Sequence, residues 1–213
     1  MICAGLTLER NLSANGRADK IEPHPDSGAA FLFLPSGLKS IVMAIIKKLN
    51  DKTPSFGKDC WFAETTTIIG DVVSGDQCSF WFNSVIRGDV NSIKMGNKVN
   101  VQDGAIIHCT YQKAETTIGN NVSIGHRAIV HGCTVEDNVL IGMGAIVMDH
   151  SKIGKNSIIA AGAVVLENTV VEPGSVYAGV PAKRVKSISP ELVSGEIERI
   201  ANNYVKYSSW YQD

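Results

Sequence analysis

The middle of the chain repeats its apolar positions every six residues. Stepping from Ile69 gives Ile69, Gly75, Trp81, Arg87, Ile93, Val99 and Ala105, and the series resumes at Ile118, Ile124 and Val130. After losing one residue it continues through Val135, Ile141, Val147, Ile153, Ile159, Val165, Val171 and Tyr177. Beyond Ala105 every position in the series is aliphatic except Tyr177. A period of six does not match the 3.6-residue turn of a helix, and it is too long for plain strand alternation. It fits short strands joined by tight turns, each strand aiming one aliphatic side chain inward. Three such hexads close one triangular coil, and stacked coils bury a continuous aliphatic column. Glycine and asparagine, frequent in "IGNN", "IGKN" and "EDN", suit turns that need a positive φ. The pattern therefore predicts an all-β chain, a parallel β-helix over residues 43–185. An ordinary β-sandwich has no reason to hold a fixed hexad for so long.

The period breaks twice. Thirteen residues separate Ala105 from Ile118, which predicts a small loop or bulge within "CTYQKAETT". Between Val130 and Val135 one residue is missing. Both breaks lie beside histidines, and functional residues concentrate where a rigid scaffold admits a loop.

The ends read differently. Ser189, Pro190 and Glu191 form a helix start, with a cap, a proline in the first turn and an acid near the positive end of the dipole. Val193, Ile197, Ile200 and Tyr204 then recur at four, three and four, an amphipathic stripe that Gly195 weakens slightly. Residues 189–213 are thus expected to form a C-terminal α-helix packed outside the β-helix. Residues 1–42 hold no sustained period. They read as an extension or a mis-called start, because Met43 opens "MAIIKKLN" as a natural beginning. The apolar run "AAFLFLP" lies too far in to make a convincing secretion signal.

Composition narrows the class. The formal net charge of −1 offers no basic field for nucleic acid or anionic lipid. No apolar run approaches the roughly 20 residues that cross a bilayer. The five cysteines are odd in number and lack a CxxC pair. That favours reduced thiols in a cytoplasmic protein over a disulfide framework.

The candidate chemistry lies in the histidines. "IGHRAIVHG" places His126 and His131 among aliphatic neighbours, and His108 in "VQDGAIIHC" precedes them. Three neutral imidazoles are a known catalytic zinc set with an open position for water. Three residues on different sides of a rigid prism do not generally meet at one point, whereas a symmetric oligomer can bring them together.

"VIRGDVNSIKMGNKVNVQDGAIIHC", "IGHRAIVHG" and "YAGVPAKRV" together resemble the γ-class carbonic anhydrase-like family of left-handed parallel β-helix proteins. The resemblance spans roughly Lys48 to the C-terminus. It implies a homotrimer with a metal at each interface, His108 and His131 coming from one subunit and His126 from its neighbour. The implied metal is Zn2+, with Fe2+ or Co2+ in some members. The resemblance also gives roles to other positions. Arg87 and Asp89 would form an ion pair across the interface. Gln102 would hydrogen-bond the metal-bound water or substrate. Asp103 would orient Arg87 or the water network, Asn100 would support them, and Tyr177 would face the pocket. The implied reaction is attack of metal-bound hydroxide on CO2, giving bicarbonate.

Two departures from the founding type bear on rate. Val90 stands where that type carries glutamate, and the short "CTYQKAETT" has only Glu115 in place of an acidic, proton-shuttling loop. Metal binding is therefore better supported than fast CO2 hydration. Two other functions compete. One is a hexapeptide-repeat acyltransferase using acyl-CoA, a class that depends on a single catalytic histidine. The other is a non-enzymatic metal-binding scaffold. Cys109 and Cys133 flank the ligands and read as small buried residues rather than thiolate ligands. His150 reads as an exposed residue.

Overall fold

The structure is a computed structural model that describes residues 43–211. The proposed extension over 1–42, with Cys3 and His24, and the last two residues lie outside the described residues.

Short parallel strands wind into a β-helix of about seven coils. One wall stacks Trp61–Phe62, Ser79–Phe80, Asn100–Val101, Ser123–Ile124, Val139–Ile141, Ser157–Ile159 and Ser175–Ala178 in parallel, and the antiparallel strand Lys183–Ser187 closes it. The other two walls form one continuous sheet, because the long strands Thr67–Ser74 and Val85–Met95 run around a corner and belong to both. Parallel stacking sets the inward side chains into columns. Phe62, Phe80, Val101, Ile124, Ile141, Ile159 and Tyr177 follow one another in register along the first wall. Ile68, Ile86, Ile107, Val130, Val147 and Val165 line the second, all of them fully buried.

From Ile118 onward the six-residue series coincides with these columns. Upstream Ile93, Val99 and Ala105 are fully buried as well, each two residues before a column position, but the first four positions are off by one. The inward positions of the first coils are Ile68, Ser74, Phe80 and Ile86, each one residue before the expected Ile69, Gly75, Trp81 and Arg87. The inward side chain of the Asn100–Val101 strand is Val101, with Val99 buried just before it at the preceding turn. Two adjacent apolar residues, such as Ile68 and Ile69, satisfy the period equally well, so the period alone chose wrongly. A further irregularity went unread. Gly70 pairs with Gly88 and Val72 with Ile93, so Asp89 to Ser92 bulge out of the Val85–Met95 strand. The expected loop in "CTYQKAETT" is present as a turn closed by a bridge between Thr110 and Ala114.

The C-terminal helix begins as expected. The Ser189 hydroxyl accepts from the Leu192 N–H at 3.4 Å, and Pro190 occupies the first turn. Its middle, Val193–Glu198, widens into π-helical turns around Gly195 before the α-helix Arg199–Ser209. Ile197 is fully buried, and Tyr204 meets Trp81 edge to face at 5.0 Å. Among the described residues no helix is long and apolar enough to cross a membrane.

Candidate metal centre

Strands Ile106–His108 and Ile129–His131 are neighbours in register, with His108 directly opposite His131. Alternation sends Ile107 and Val130 inward and both histidines outward. The two rings converge, His108 Nδ1 lying 3.1 Å from His131 Nε2. Their other nitrogens face carboxylates. His108 Nε2 is 2.9 Å from Asp89 Oδ1, and His131 Nδ1 is 2.5 Å from Asp149 Oδ1. Partial burial works against ionisation of Asp89, yet hydrogen bonds from His108 and Arg87 hold its carboxyl below the usual range. Burial likewise opposes ionisation of Asp149, and hydrogen bonds from Thr110 and His131 outweigh it.

An ionised carboxylate can only accept hydrogen bonds. Where each outer nitrogen donates to its carboxylate, the inner nitrogens of the two rings turn lone pairs toward each other across the 3.1 Å gap. Such a contact is relieved by a shared proton or by a metal ion held between the two rings. Two ligands at 2.0–2.1 Å from a tetrahedral zinc are about 3.3 Å apart, close to the observed 3.1 Å. The donor set fits a metal, and each imidazole has the carboxylate partner that orients metal-bound histidines.

His126 lies elsewhere, on the turn between Ser123–Ile124 and Ile129–His131. Its Nδ1 is 2.8 Å from Asp103 Oδ2, and its Nε2 is 3.4 Å from the Tyr204 hydroxyl. With Nδ1 paired to Asp103, Nε2 is the ring nitrogen that remains for a further ligand. Among the described residues no group of three His, Cys, Asp or Glu side chains of one chain converges as a metal would require.

The remaining expected residues divide between these two regions. Arg87 and Asp89 form an ion pair within the chain, beside His108. Within the single chain Asp103 pairs with His126. Gln102 is buried with both ends of its amide in use: Oε1 accepts from the His126 N–H at 3.2 Å and Nε2 donates to Asn100 Oδ1 at 3.0 Å. Asn100 in turn donates to Ser123 Oγ at 2.8 Å. Tyr177 departs from expectation. It continues the inward column above Ile159 and is only 8% exposed, so it belongs to the core rather than to a pocket. Tyr204, on the C-terminal helix, is the tyrosine that reaches a candidate ligand. Burial, helped by the nearby Asp103 and Tyr207, pushes its phenol up to about 12, so it stays protonated near neutrality. Burial also pushes the Cys133 thiol up to about 12 and raises that of Cys109, in keeping with structural thiols rather than thiolate ligands.

Three residues of this arrangement were missed in the sequence: Asp149, Thr110 and Tyr204. In the sequence Tyr204 is one member of the helix stripe, and in "VMDHSKIG" His150 is more conspicuous than the neighbouring Asp149. Only the positions of both repeat breaks beside histidines hinted at Thr110.

A carbonic anhydrase from Geobacillus kaustophilus is 46% identical to this chain over 161 residues, covering 76% of this chain and 87% of that one. The chain belongs to the γ-class carbonic anhydrase-like family. Another relative is gamma carbonic anhydrase 2, mitochondrial, of Arabidopsis thaliana, 39% identical and matched over 73% of this chain and 57% of its own length. Among solved structures, a hexapeptide transferase family protein from Anaplasma phagocytophilum superposes with a TM-score of 0.74 at 35% identity, over 78% of this chain and 98% of that one. Two repeat models match as well: bacterial transferase hexapeptide (six repeats) at residues 132–167, and hexapeptide repeat of succinyl-transferase at 115–148. These describe the coil shared across the γ-class fold and its relatives, not the chemistry at the histidines.

Proposed function

We propose that the protein is a metal-dependent carbonic anhydrase whose site is completed between subunits of a homotrimer, with His108 and His131 of one chain and His126 of the next as ligands. The convergence of His108 Nδ1 and His131 Nε2 at 3.1 Å, each ring backed by a carboxylate, carries this reading. These nitrogens are two of three expected donors, and among the described residues no third ligand of the same chain converges on them. A second feature supports the oligomer. Outside the β-helix, Ile106, Ile129, Ile146 and Val164 form one ladder in register. The column through His108 and His131 is followed in the next coils by Met148 and Leu166, 39% and 48% exposed. An apolar face flanking two incomplete ligands suits burial against another copy.

Zinc is the metal this donor set favours, with iron or cobalt as alternatives. A divalent ion held by three neutral imidazoles lowers the pKa of its water to about 7 and so supplies hydroxide at neutral pH to attack CO2. The chain's own groups do the rest. Asp89 and Asp103 fix which nitrogen of His108 and His126 stays free, and Arg87 keeps Asp89 ionised. Asn100 and Gln102 hold the main chain of the His126 turn, so Gln102 acts on the site through His126 rather than by touching substrate. Removal of the product proton is the weak step. Glu115 is tied to Ser92 Oγ at 2.9 Å and Lys94 Nζ at 3.2 Å and has no part in the histidine cluster. Turnover should therefore rise with buffer concentration.

Elemental analysis of anaerobically purified protein, combined with stopped-flow CO2 hydration on the same sample, tests the proposal. About one zinc or iron per chain together with hydration is the expected result. Metal without hydration would leave a metal-binding scaffold or a different substrate, and absence of metal would overturn the reading.

A further inference from the structure

We propose that Asp149 and Thr110 are a positioning unit for His131, with Thr110 in one break of the hexapeptide repeat and Asp149 in the next coil, packed against the other break at Gly132, and that they set the direction in which His131 presents its inner nitrogen. The inference rests on the metal reading above and adds residues that it does not use.

Three segments far apart in sequence meet here. Thr110, in the inserted loop, donates its hydroxyl to Asp149 Oδ2, while Asp149 Oδ1 accepts from His131 Nδ1 at 2.5 Å. Both carboxylate oxygens are thus engaged, which fixes the plane of the carboxylate and, through it, the His131 ring. The contraction between Val130 and Val135 makes room for this. It places Gly132 at φ +54, and a Cβ there would lie 2.5 Å from Asp149 Oδ1 and 2.8 Å from Ala114 Cβ. The carboxylate and the loop occupy the space that a side chain would need. The main chain around Asp149 is held on both sides, by His150 N–H to Gly132 O at 2.8 Å and Asn168 N–H to Asp149 O at 3.0 Å.

The same pair of breaks ties His131 to His108. Thr116, at the end of the inserted loop, accepts from Gly132 N–H at 2.9 Å and donates to His108 O at 2.6 Å. The two ligand strands are therefore joined by a side chain as well as by sheet hydrogen bonds. An ordinary six-residue step at either break would move Thr110 or Gly132 out of line. Partners that orient a metal-bound histidine typically change metal affinity 10- to 100-fold when removed.

The experiment uses the full-length assembled protein. Zinc affinity is measured by competition with a chromophoric chelator, and the visible absorption spectrum is recorded with cobalt as a probe of ligand geometry. Asp149→Ala should weaken zinc binding about 10- to 100-fold and alter the cobalt spectrum. Thr110→Val should shift both in the same direction by less, and Thr110→Ser should restore wild-type values. A purely structural contact would lower the melting temperature without changing the spectrum of the loaded protein. Asp149→Ala or, if that variant fails to assemble, Thr110→Val with unchanged affinity and spectrum would overturn the proposal. Wild-type protein that takes up no zinc would overturn the metal reading and this inference together, and it would do so before any variant is made.

Discussion

The two parts of the candidate metal centre are built in different ways. His108 and His131 stand opposite each other on neighbouring strands, so their separation follows from sheet geometry, where adjacent strands lie about 4.8 Å apart. His126 stands on a turn and owes its orientation to side-chain bonds, from Asp103 on one ring nitrogen and Tyr204 on the other. A stiff β-helix can place two ligands accurately on one wall but cannot fold a corner back to meet them. The same stiffness suits a site shared between subunits, because each half arrives already formed.

Removing a ligand from the strand half should have the largest effect. His131→Ala is expected to lose bound zinc altogether. His108→Ala and His126→Ala homotrimers should each be empty, while co-refolded mixtures should regain about one site in four by random pairing, read as zinc per chain. No recovery would mean that the halves do not meet between subunits.

Next comes the face that joins the halves. Leu166 is 48% exposed in the single chain, in the column that passes through both strand histidines. Leu166→Asp should shift the assembly to monomers by light scattering and reduce zinc binding with it, while circular dichroism of the β-helix stays unchanged. By contrast Ile107→Ala, on the same strand as His108 but facing the core, should cost about 2–5 kcal/mol of stability in thermal or denaturant unfolding.

A smaller effect is expected on the turn half. In the single chain the Tyr204 hydroxyl competes for the lone pair of His126 Nε2. Tyr204→Phe should therefore strengthen zinc binding, by no more than about tenfold given the net worth of one hydrogen bond. A weakening would make Tyr204 part of the loaded site.

The smallest effect belongs to Glu115, outside both halves. Its hydrogen bonds with Ser92 and Lys94, together with the Lys94 charge, lower its pKa. Its contribution to stability is therefore present above the ordinary glutamate value of about 4.3 and fades as pH falls through the lowered one. Glu115→Gln should flatten that part of the melting curve against pH and leave CO2 hydration near neutrality unchanged.

Much of this architecture was legible in the residues. The hexad gave the coil, its clean run from Ile118 gave the core columns, and Ser189-Pro190-Glu191 gave the start of the helix. Three histidines with Asp89, Asn100, Gln102 and Asp103 were the sequence's candidates, and the structure gathers them around the pair His108 and His131 and around His126. The reading failed where the pattern was degenerate. Ile68 and Ile69 are both apolar, so the period could not tell which faced inward, and Tyr177 looked like a site residue although it extends the column of Ile159.

What the sequence determined by itself is the inside and outside of the coils from Ile118 onward, because burial of one aliphatic per hexad is a local requirement repeated along the chain. What only the tertiary structure decided is which polar groups meet. Thr110 and Asp149 are 39 residues apart and touch only because two irregular coils stack with a specific offset. That offset depends on the bulge at Asp89 to Ser92, the loop after Cys109 and the glycine at 132. Each shifts the register of everything stacked above it, and stacking register is a property of the assembled coils rather than of any one of them.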